Sequence, residues 1–359
     1  MPIEITIIKV LAPTAIAFCV GIVITPIITR WLYHNKMWKK KAGKGAGYGG
    51  GETPIFDALH ATRDTNTPRM GGLVIWISIL LTIALLWFLH LMFGNTTLGS
   101  LNFFSRSQTW LPLTALIIGA LVGFVDDYMV VRDSGTHFAG GLPLSQRLMV
   151  VGVTALFSAW WFYEKLDVTT VSFLGHGYID LGIFFIPFFV IVALGIYASS
   201  VIDGIDGLSG GTFLFIFSAY AGIAVYQNQI DLAAFCATVA GGILAFLWFN
   251  VPPARFYMTE TGVMALTMTL TIIVFMTDSL GGGEGVSVFP VIGILLVLTV
   301  LSDILQLLSK KIFKRKIFRI APLHHHFEAI GWQSEKVTMR YWILGFVSAV
   351  MGVILSILL

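Results

Sequence analysis

Residues Ser199 to Gly211 read Ser-Ser-Val-Ile-Asp-Gly-Ile-Asp-Gly-Leu-Ser-Gly-Gly, and they lie between two long apolar runs. On a helical turn Asp203 and Asp206 would share one side, and the neighbouring glycines would let a ligand approach backbone N–H groups closely. Carboxylates beside bare backbone suit a metal-bound phosphate. The alternative is a polar turn between two membrane helices with solvated aspartates, so the interpretation depends on the rest of the chain.

The composition is that of a polytopic membrane protein. Hydrophobic residues make up 57% and charged residues 11% of the chain, whereas soluble domains have about 45–50% and about 25%. The apolar run from Ile5 to Ile28, interrupted only by Lys9, is too long for a cleaved signal and indicates a first spanning helix. Cys19 and Cys236 both fall in predicted spans, so we expect neither a disulfide framework nor a cysteine metal site.

Apolar segments predict an all-α fold of ten transmembrane helices in a single domain, 1–359, with both termini on one side. Of the 22 Lys and Arg residues, 19 lie on the opposite side, which the positive-inside rule identifies as cytoplasmic. Both termini are therefore expected to be extracytoplasmic. Residues 164–180 predict a small extracytoplasmic hairpin between the fourth and fifth helices. The net charge of +3 is small, and no nucleic-acid partner is expected. The predicted spans are 5–29, 71–93, 110–130, 146–163, 181–199, 210–226, 231–249, 261–277, 288–308 and 341–359.

This topology brings polar residues from separate loops to the cytoplasmic side. Charges near bilayer depth are costly and usually face a cavity or a pathway, so their convergence predicts a site. The basic run from Lys310 to Arg319 is interpreted as a topology determinant that also contacts anionic membrane lipid. The converging residues are Asp126, Asp127, Asp203, Asp206, Asn250, Glu260, His324, His325 and His326, with Arg147 at the start of the fourth span.

Two of these groups have a structural alternative. Asp126 and Asp127 could cap a helix end, although a helix C-terminus carries negative dipole charge and a bound cation would suit them better. His324, His325 and His326 could form an interfacial polar turn. Because three consecutive histidines cannot all face one small ion, we expect one or two of them in the site.

Five motifs follow one another along the chain: Thr67-Pro68-Arg69-Met70-Gly71-Gly72, Gly123-Phe124-Val125-Asp126-Asp127-Tyr128, Asp203-Gly204-Ile205-Asp206-Gly207-Leu208, Leu247-Trp248-Phe249-Asn250 and Ala321-Pro322-Leu323-His324-His325-His326-Phe327-Glu328. They carry a family resemblance that extends over nearly the whole chain. In this order they resemble the phospho-N-acetylmuramoyl-pentapeptide transferase family of the polyprenyl-phosphate N-acetylhexosamine-1-phosphate transferase superfamily. The resemblance implies a bacterial cytoplasmic-membrane enzyme that transfers phospho-MurNAc-pentapeptide from UDP-MurNAc-pentapeptide to undecaprenyl phosphate. It further implies Mg²⁺ as cofactor, release of UMP and formation of lipid I on the cytoplasmic face.

The resemblance also implies roles for the converging residues. Asp126, Asp127 and His324 are expected to be catalytic, and Glu260 and Asp203 to bind the metal. The expected substrate-binding residues are Asp203, Asp206, Asn250, His325, His326 and Arg147.

The chain departs from the family pattern at several of these positions. Glu260 stands where the family has a metal-binding aspartate, and a carboxylate one methylene longer can still bind Mg²⁺. Tyr197 and Ser200 replace asparagines, and Val130 replaces a lysine whose charge Arg132 or Arg147 could supply. These changes bear on nucleotide contacts and rate more than on the fold.

Other functions remain open at this stage. A related transferase that uses UDP-N-acetylglucosamine is the nearest alternative. A transporter would use intramembrane carboxylates as an ion relay, but it should have inverted repeats and paired broken helices, which are not apparent. A prenyl-diphosphate enzyme would need a third aspartate where Val130 stands. The oligomeric state is undetermined, with a homodimer as one possibility.

Overall fold

The fold is almost entirely helical. A computed structural model describes residues 3–40, 66–94, 96–132 and 141–359. Within these ranges, apart from short 3₁₀ turns, the remaining regular element is one antiparallel hairpin. The α-helices are α1 (Ile3–His34), α2 (Gly72–Phe93), α3 (Trp110–Arg132), α4 (Leu144–Lys165), α5 (Phe185–Ala198), α6 (Leu208–Tyr226), α7 (Ile230–Asn250), α8 (Thr259–Met276), α9 (Gly285–Ile292), α10 (Ile294–Ile312), α11 (Leu323–Ala329) and α12 (Ser334–Leu358).

Most of these helices are long and apolar enough to cross a bilayer. Within the described ranges eight qualify, or nine if α9 and α10 together form one span. The predicted all-α membrane class is therefore confirmed. The predicted fourth span is present as α4, which has 22 residues but is not among the eight. The total of ten spans and the side on which the termini lie stay predictions.

Helix α8 is the centre of the fold. Every residue of α8 except Glu260 is buried, which is the expected environment for a helix that is apolar on all sides. Its closest neighbour is α3. A Cβ at Gly123 would collide with the carbonyl oxygen of Glu260, so this glycine lets the two backbones touch. The contact places Asp126 and Asp127 beside the first turn of α8.

The predicted ninth span is not one straight helix. Gly285–Ile292 and Ile294–Ile312 meet at an angle of 72°. Pro290 lies inside α9 and Gly293 joins the two helices, and such residues are the usual causes of a sharp helix kink. The prediction of one continuous helix over 288–308 was therefore wrong, although Pro290 and Gly293 are both present in the sequence.

The predicted hairpin between α4 and α5 is confirmed. β1 (Thr170–Ser172) pairs antiparallel with β2 (Tyr178–Asp180). Asp278, two residues beyond the C-terminus of α8, accepts hydrogen bonds from the Ser172 backbone N–H (2.9 Å) and from the Ser172 hydroxyl. The hairpin is thus attached at the end of α8 opposite to Glu260, about 27 Å away along the helix.

Candidate active site

Asp127 holds the start of α8 against α3. It is fully buried, and its Oδ1 accepts hydrogen bonds from Arg69 Nε (3.2 Å) and Nη2 (2.9 Å). Its Oδ2 accepts from Thr259 Oγ1 (2.5 Å), Thr261 Oγ1 (2.6 Å) and the Thr261 backbone N–H (2.8 Å). These five donors saturate the carboxylate, so Asp127 joins three chain segments rather than facing open space.

Two aspartates from other segments act as caps for α8. The residue before the helix, Met258, makes no side-chain cap bond, and the first N–H groups of a helix need acceptors. Asp203 Oδ2 accepts the Thr259 N–H (2.8 Å) while Asp127 accepts that of Thr261. Negative charge at this position is also stabilised by the helix dipole. The first turn of α8 is therefore fixed by two carboxylates.

The concern that Asp126 and Asp127 lie at a helix C-terminus is resolved by the structure. Helix α3 extends to Arg132 rather than ending at the aspartates. The charge of Asp127 is balanced by Arg69, at 2.9 Å, and by the positive end of α8. A bound cation is thus not required to explain the placement of Asp127.

Asp126, Glu260 and Arg147 form the second part of the site. Asp126 is buried and accepts the Leu142 N–H at 2.7 Å. Glu260 Oε1 pairs with Arg147 Nη1 from α4 at 2.5 Å, and both side chains are about one-fifth exposed, at 17% and 21%. The carboxylates of Asp126 and Asp127 and the guanidinium groups of Arg147 and Arg69 all act electrostatically on Glu260. The predicted residues Asp126, Asp127, Glu260 and Arg147 are therefore neighbours.

The loop that carries Asp203 and Asp206 lies beside the start of α8. Asp203 Oδ1 accepts the Ser209 hydroxyl (2.6 Å). Burial raises the pKa of Asp203 above its ordinary value, although the bonds from Ser209 and Thr259 act in the opposite direction. Asp206 Oδ2 accepts the Ala254 N–H at 3.1 Å. Both carboxylates therefore support the local backbone, and their predicted substrate or metal contacts stay predictions.

Asn250 also has a clear structural task. Its Oδ1 accepts the Gly207 N–H (2.9 Å) and its Nδ2 donates to the Phe256 carbonyl (2.8 Å). Gly207 has a φ of 75°, a left-handed conformation that favours glycine. Asn250 thus ties the turn before α6 to the loop before α8, and it lies within the same cluster as the aspartates.

Helix α11 brings two of the three histidines to the Asp203–Gly207 loop. His324 and His325 are buried with ring centroids 4.3 Å apart. A Cβ at Gly204 would lie 2.6 Å from the Nε2 atoms of both rings. His326 points elsewhere, since its Nδ1 accepts the Arg319 N–H at 3.1 Å. The expectation that only one or two histidines share the site agrees with this geometry, and His326 is the one that is not brought to the loop.

The described residues contain no group of three His, Cys, Asp or Glu side chains placed to hold a metal. Mg²⁺ usually needs only one or two carboxylates together with substrate phosphates and water. Glu260 Oε2 is buried and has no hydrogen-bond partner within the described ranges, and the Asp126 charge acts on the same side chain. Glu260 and Asp126 therefore fit such a site. Asp203 fits less well, because both of its oxygens already accept hydrogen bonds.

Four residues at the site were not predicted to have a role there: Arg69, Thr259, Thr261 and Glu328. Arg69 lies in the motif just before α2, but the motif alone did not indicate its partner. The threonines flank Glu260 at a helix start, where hydroxyl groups commonly cap. Their bonds to Asp127 cross more than a hundred positions of sequence, a distance that local patterns do not reveal.

Comparison with known proteins identifies the family. The model of glycosyl transferase family 4 matches residues 109–278. The phospho-N-acetylmuramoyl-pentapeptide-transferase of Anoxybacillus flavithermus is 31% identical over 353 residues, covering 97% of this chain and 98% of the relative. Proteins of the same name from Geobacillus sp. (32%, covering 82% and 85%) and Dichelobacter nodosus (34%, covering 81% and 80%) are also similar. The chain therefore belongs to the phospho-N-acetylmuramoyl-pentapeptide transferase family.

Proposed function

We propose that this membrane protein acts in peptidoglycan synthesis. In this proposal it transfers phospho-MurNAc-pentapeptide from UDP-MurNAc-pentapeptide to undecaprenyl phosphate, giving lipid I and UMP. The observation that supports it most is that Arg69, Asp127 and Asp203 meet at the first turn of α8, while two histidines of α11 lie against Gly204, next to Asp203. These segments are far apart in the chain and correspond to the motifs of the family resemblance.

The chemistry of the reaction suits a site built mainly from charge and position. A lipid phosphate monoester has a second pKa of about 6 and is already largely ionised at neutral pH. A general base therefore adds little, and most of the catalysis comes from aligning the two phosphates and stabilising their charge. The first turn of α8, fixed by Asp127 and Asp203, provides a rigid reference for that alignment.

The residues divide into two groups by task. Asp127 and Asp203 hold α8 in place, whereas Asp126, Glu260 and Arg147 face the reacting groups. Glu260 and Asp126 would hold Mg²⁺, which when bound neutralises pyrophosphate charge and stabilises the departing UMP. Arg147 would move from Glu260 to a substrate phosphate, because arginine binds phosphate oxygens with two parallel hydrogen bonds.

We infer that the site faces the cytoplasm. The support is the distribution of charge, with 19 of 22 Lys and Arg residues on the side that carries the site motifs. With α4 as a tenth span, both termini lie outside. Both substrates can then reach the site, the nucleotide sugar from the cytoplasm and undecaprenyl phosphate from the membrane.

The nearest rival function is transfer of N-acetylglucosamine 1-phosphate. Tyr197 and Ser200 stand where the family resemblance implies asparagines, and these changes bear on the nucleotide contacts that both reactions share. The deciding experiment incubates purified protein and undecaprenyl phosphate with radiolabelled UDP-MurNAc-pentapeptide or UDP-N-acetylglucosamine, each with Mg²⁺ and with a chelator. We expect a lipid-linked product from the first sugar only, and only with Mg²⁺. Product from UDP-N-acetylglucosamine would favour the rival, and no lipid-linked product from either would refute both.

A further inference from the structure

We infer that Glu328 is a positioning residue that fixes the orientation and the proton of His325, so that Nε2 of His325 is presented to the Asp203–Gly207 loop. This inference rests on the proposed transferase function for its kinetic consequence. Its structural part, the position of the proton on the ring, can be tested separately.

A continuous chain of contacts leads from α12 to the site. Ser334, the first residue of α12, donates its hydroxyl hydrogen to Glu328 Oε1 at 2.6 Å. The other oxygen, Oε2, lies 2.7 Å from His325 Nδ1. The side chains of His325 and Glu328 are only 2% and 5% exposed. At the far side of the ring, Nε2 lies against Gly204, where a Cβ would be 2.6 Å away.

The chemistry of these groups determines where the proton is. An ionised carboxylate only accepts hydrogen bonds, so with Glu328 ionised the hydrogen of this bond is on Nδ1 of His325. If the ring is neutral, Nε2 is then an acceptor, and if it is charged, Nε2 is a donor. In both states a flip of the imidazole ring would break the buried hydrogen bond between Nδ1 and the Glu328 carboxylate. The atom offered to the loop is therefore always Nε2.

The next residue provides an internal comparison. His326 Nδ1 accepts the Arg319 backbone N–H at 3.1 Å, and a backbone N–H can only donate. Its neutral ring must therefore carry hydrogen on Nε2, which is the opposite tautomer. The partners of His325 and His326 thus favour opposite neutral tautomers. Of these two residues, His325, which is paired with Glu328, faces the Asp203–Gly207 loop.

The kinetic test uses Glu328→Ala, Glu328→Gln and the exposed control Glu335→Gln. Loss of a residue that orients a site histidine typically reduces activity by about 10–100-fold. We expect Glu328→Ala to lower kcat by that factor with KM for the nucleotide sugar changed less than about threefold. Glu328→Gln keeps an acceptor for Nδ1–H and should recover most of the loss, whereas Glu335→Gln should behave like the wild type.

The second readout is nitrogen NMR of protein labelled in its histidine rings. We expect His325 protonated at Nδ1 in the wild type and in Glu328→Gln, and His326 protonated at Nε2 in every variant. Wild-type His325 without hydrogen on Nδ1 would overturn the inference, as would a Glu328→Ala variant with normal kcat. A loss of kcat in Glu328→Gln as large as in Glu328→Ala would do so as well. If even the wild type makes no lipid-linked product, the proposed function fails while the NMR result still decides the role of Glu328.

Discussion

Asp126 and Asp127 are adjacent in sequence, yet the structure predicts that their asparagine variants fail in different ways. Asp127 is saturated by five donors from Arg69, Thr259 and Thr261. Asp126 accepts the Leu142 N–H and belongs to the group of charges around Glu260. We expect Asp127→Asn to lose stability together with activity, and Asp126→Asn to lose activity alone.

The loss of stability expected for Asp127→Asn follows from the groups that donate hydrogen bonds to Asp127. In either orientation the new amide NH₂ faces N–H groups that cannot rotate away, those of Arg69 or that of Thr261. Removing one partner of a buried ion pair costs about 3–5 kcal/mol. Arg69 is 20% exposed, so water compensates in part and we expect about 3 kcal/mol. At about 2 °C per kcal/mol for a long chain, the apparent Tm should fall by about 6 °C.

Asp126→Asn is the matched control, because it makes the same chemical change one residue away. Its amide oxygen can still accept the Leu142 N–H, and one negative charge near Asp127 and Glu260 is removed. We expect a stability change within about 1 kcal/mol, because the substitution leaves the Leu142 N–H with an acceptor. Transfer should nevertheless fall by about 100-fold or more, since a charge at the reacting groups is lost.

The assay is thermal unfolding of both variants in detergent, followed by tryptophan fluorescence, beside the transfer reaction at a temperature where both are folded. Equal Tm losses in the two variants would refute the division of tasks. So would an Asp127→Asn variant that is as stable as the wild type. If Asp126→Asn kept normal turnover, Asp126 would not face the substrates.

Three further predictions concern Glu260, the hairpin between α4 and α5, and the topology. Glu260→Gln should raise the Mg²⁺ concentration needed for half-maximal transfer and lower the maximum rate, while normal transfer at limiting Mg²⁺ would assign the metal to other residues. Burial raises the pKa of Asp278, so the folded state binds this proton more tightly than the unfolded chain. The contribution of protonated Asp278 to stability is complete below pH 3.8 and is lost as the pH rises through the folded pKa. Because Asp278→Asn removes this titration, Tm should fall less between pH 4 and pH 7 in the variant than in the wild type. An equal fall in the two proteins would contradict burial of Asp278 as the cause. In a Cys19→Ser background, an impermeant thiol reagent should label His176→Cys from outside and Lys316→Cys only after the membrane is opened, and the reverse pattern would invert the topology.

The sequence predicted the helical membrane class and the hairpin between α4 and α5, and it singled out Asp126, Asp127, Glu260 and Arg147, which lie close together at the start of α8. These features depend on apolar runs, on turn residues and on motifs, all of which are local patterns. It did not predict the break in the ninth span, although Pro290 and Gly293 were present. Apolar run length predicts that a segment crosses the bilayer but not whether it is straight.

Local patterns could not reveal the partners of the site residues. Successive residues on a helix point about 100° apart, so Asp126 and Asp127 necessarily face different neighbours. Which of them would meet Arg69 depended on the packing of α2, α3 and α8. Likewise the partner of Glu260, Arg147, lies 113 positions away. A charged residue in a motif therefore indicates a site, whereas its role within the site depends on the tertiary contacts.

Helix α8 is anchored at both of its ends. Its first turn is held by Asp127 and Asp203, and the hairpin is attached to Asp278 just beyond its last turn. One inserted residue would turn one end by about 100° relative to the other and move it by about 1.5 Å. Glu260 could then keep its place only if the hairpin lost its attachment. The two attachments therefore fix the length of α8. We expect any relative that has both of them to keep the same number of residues between them.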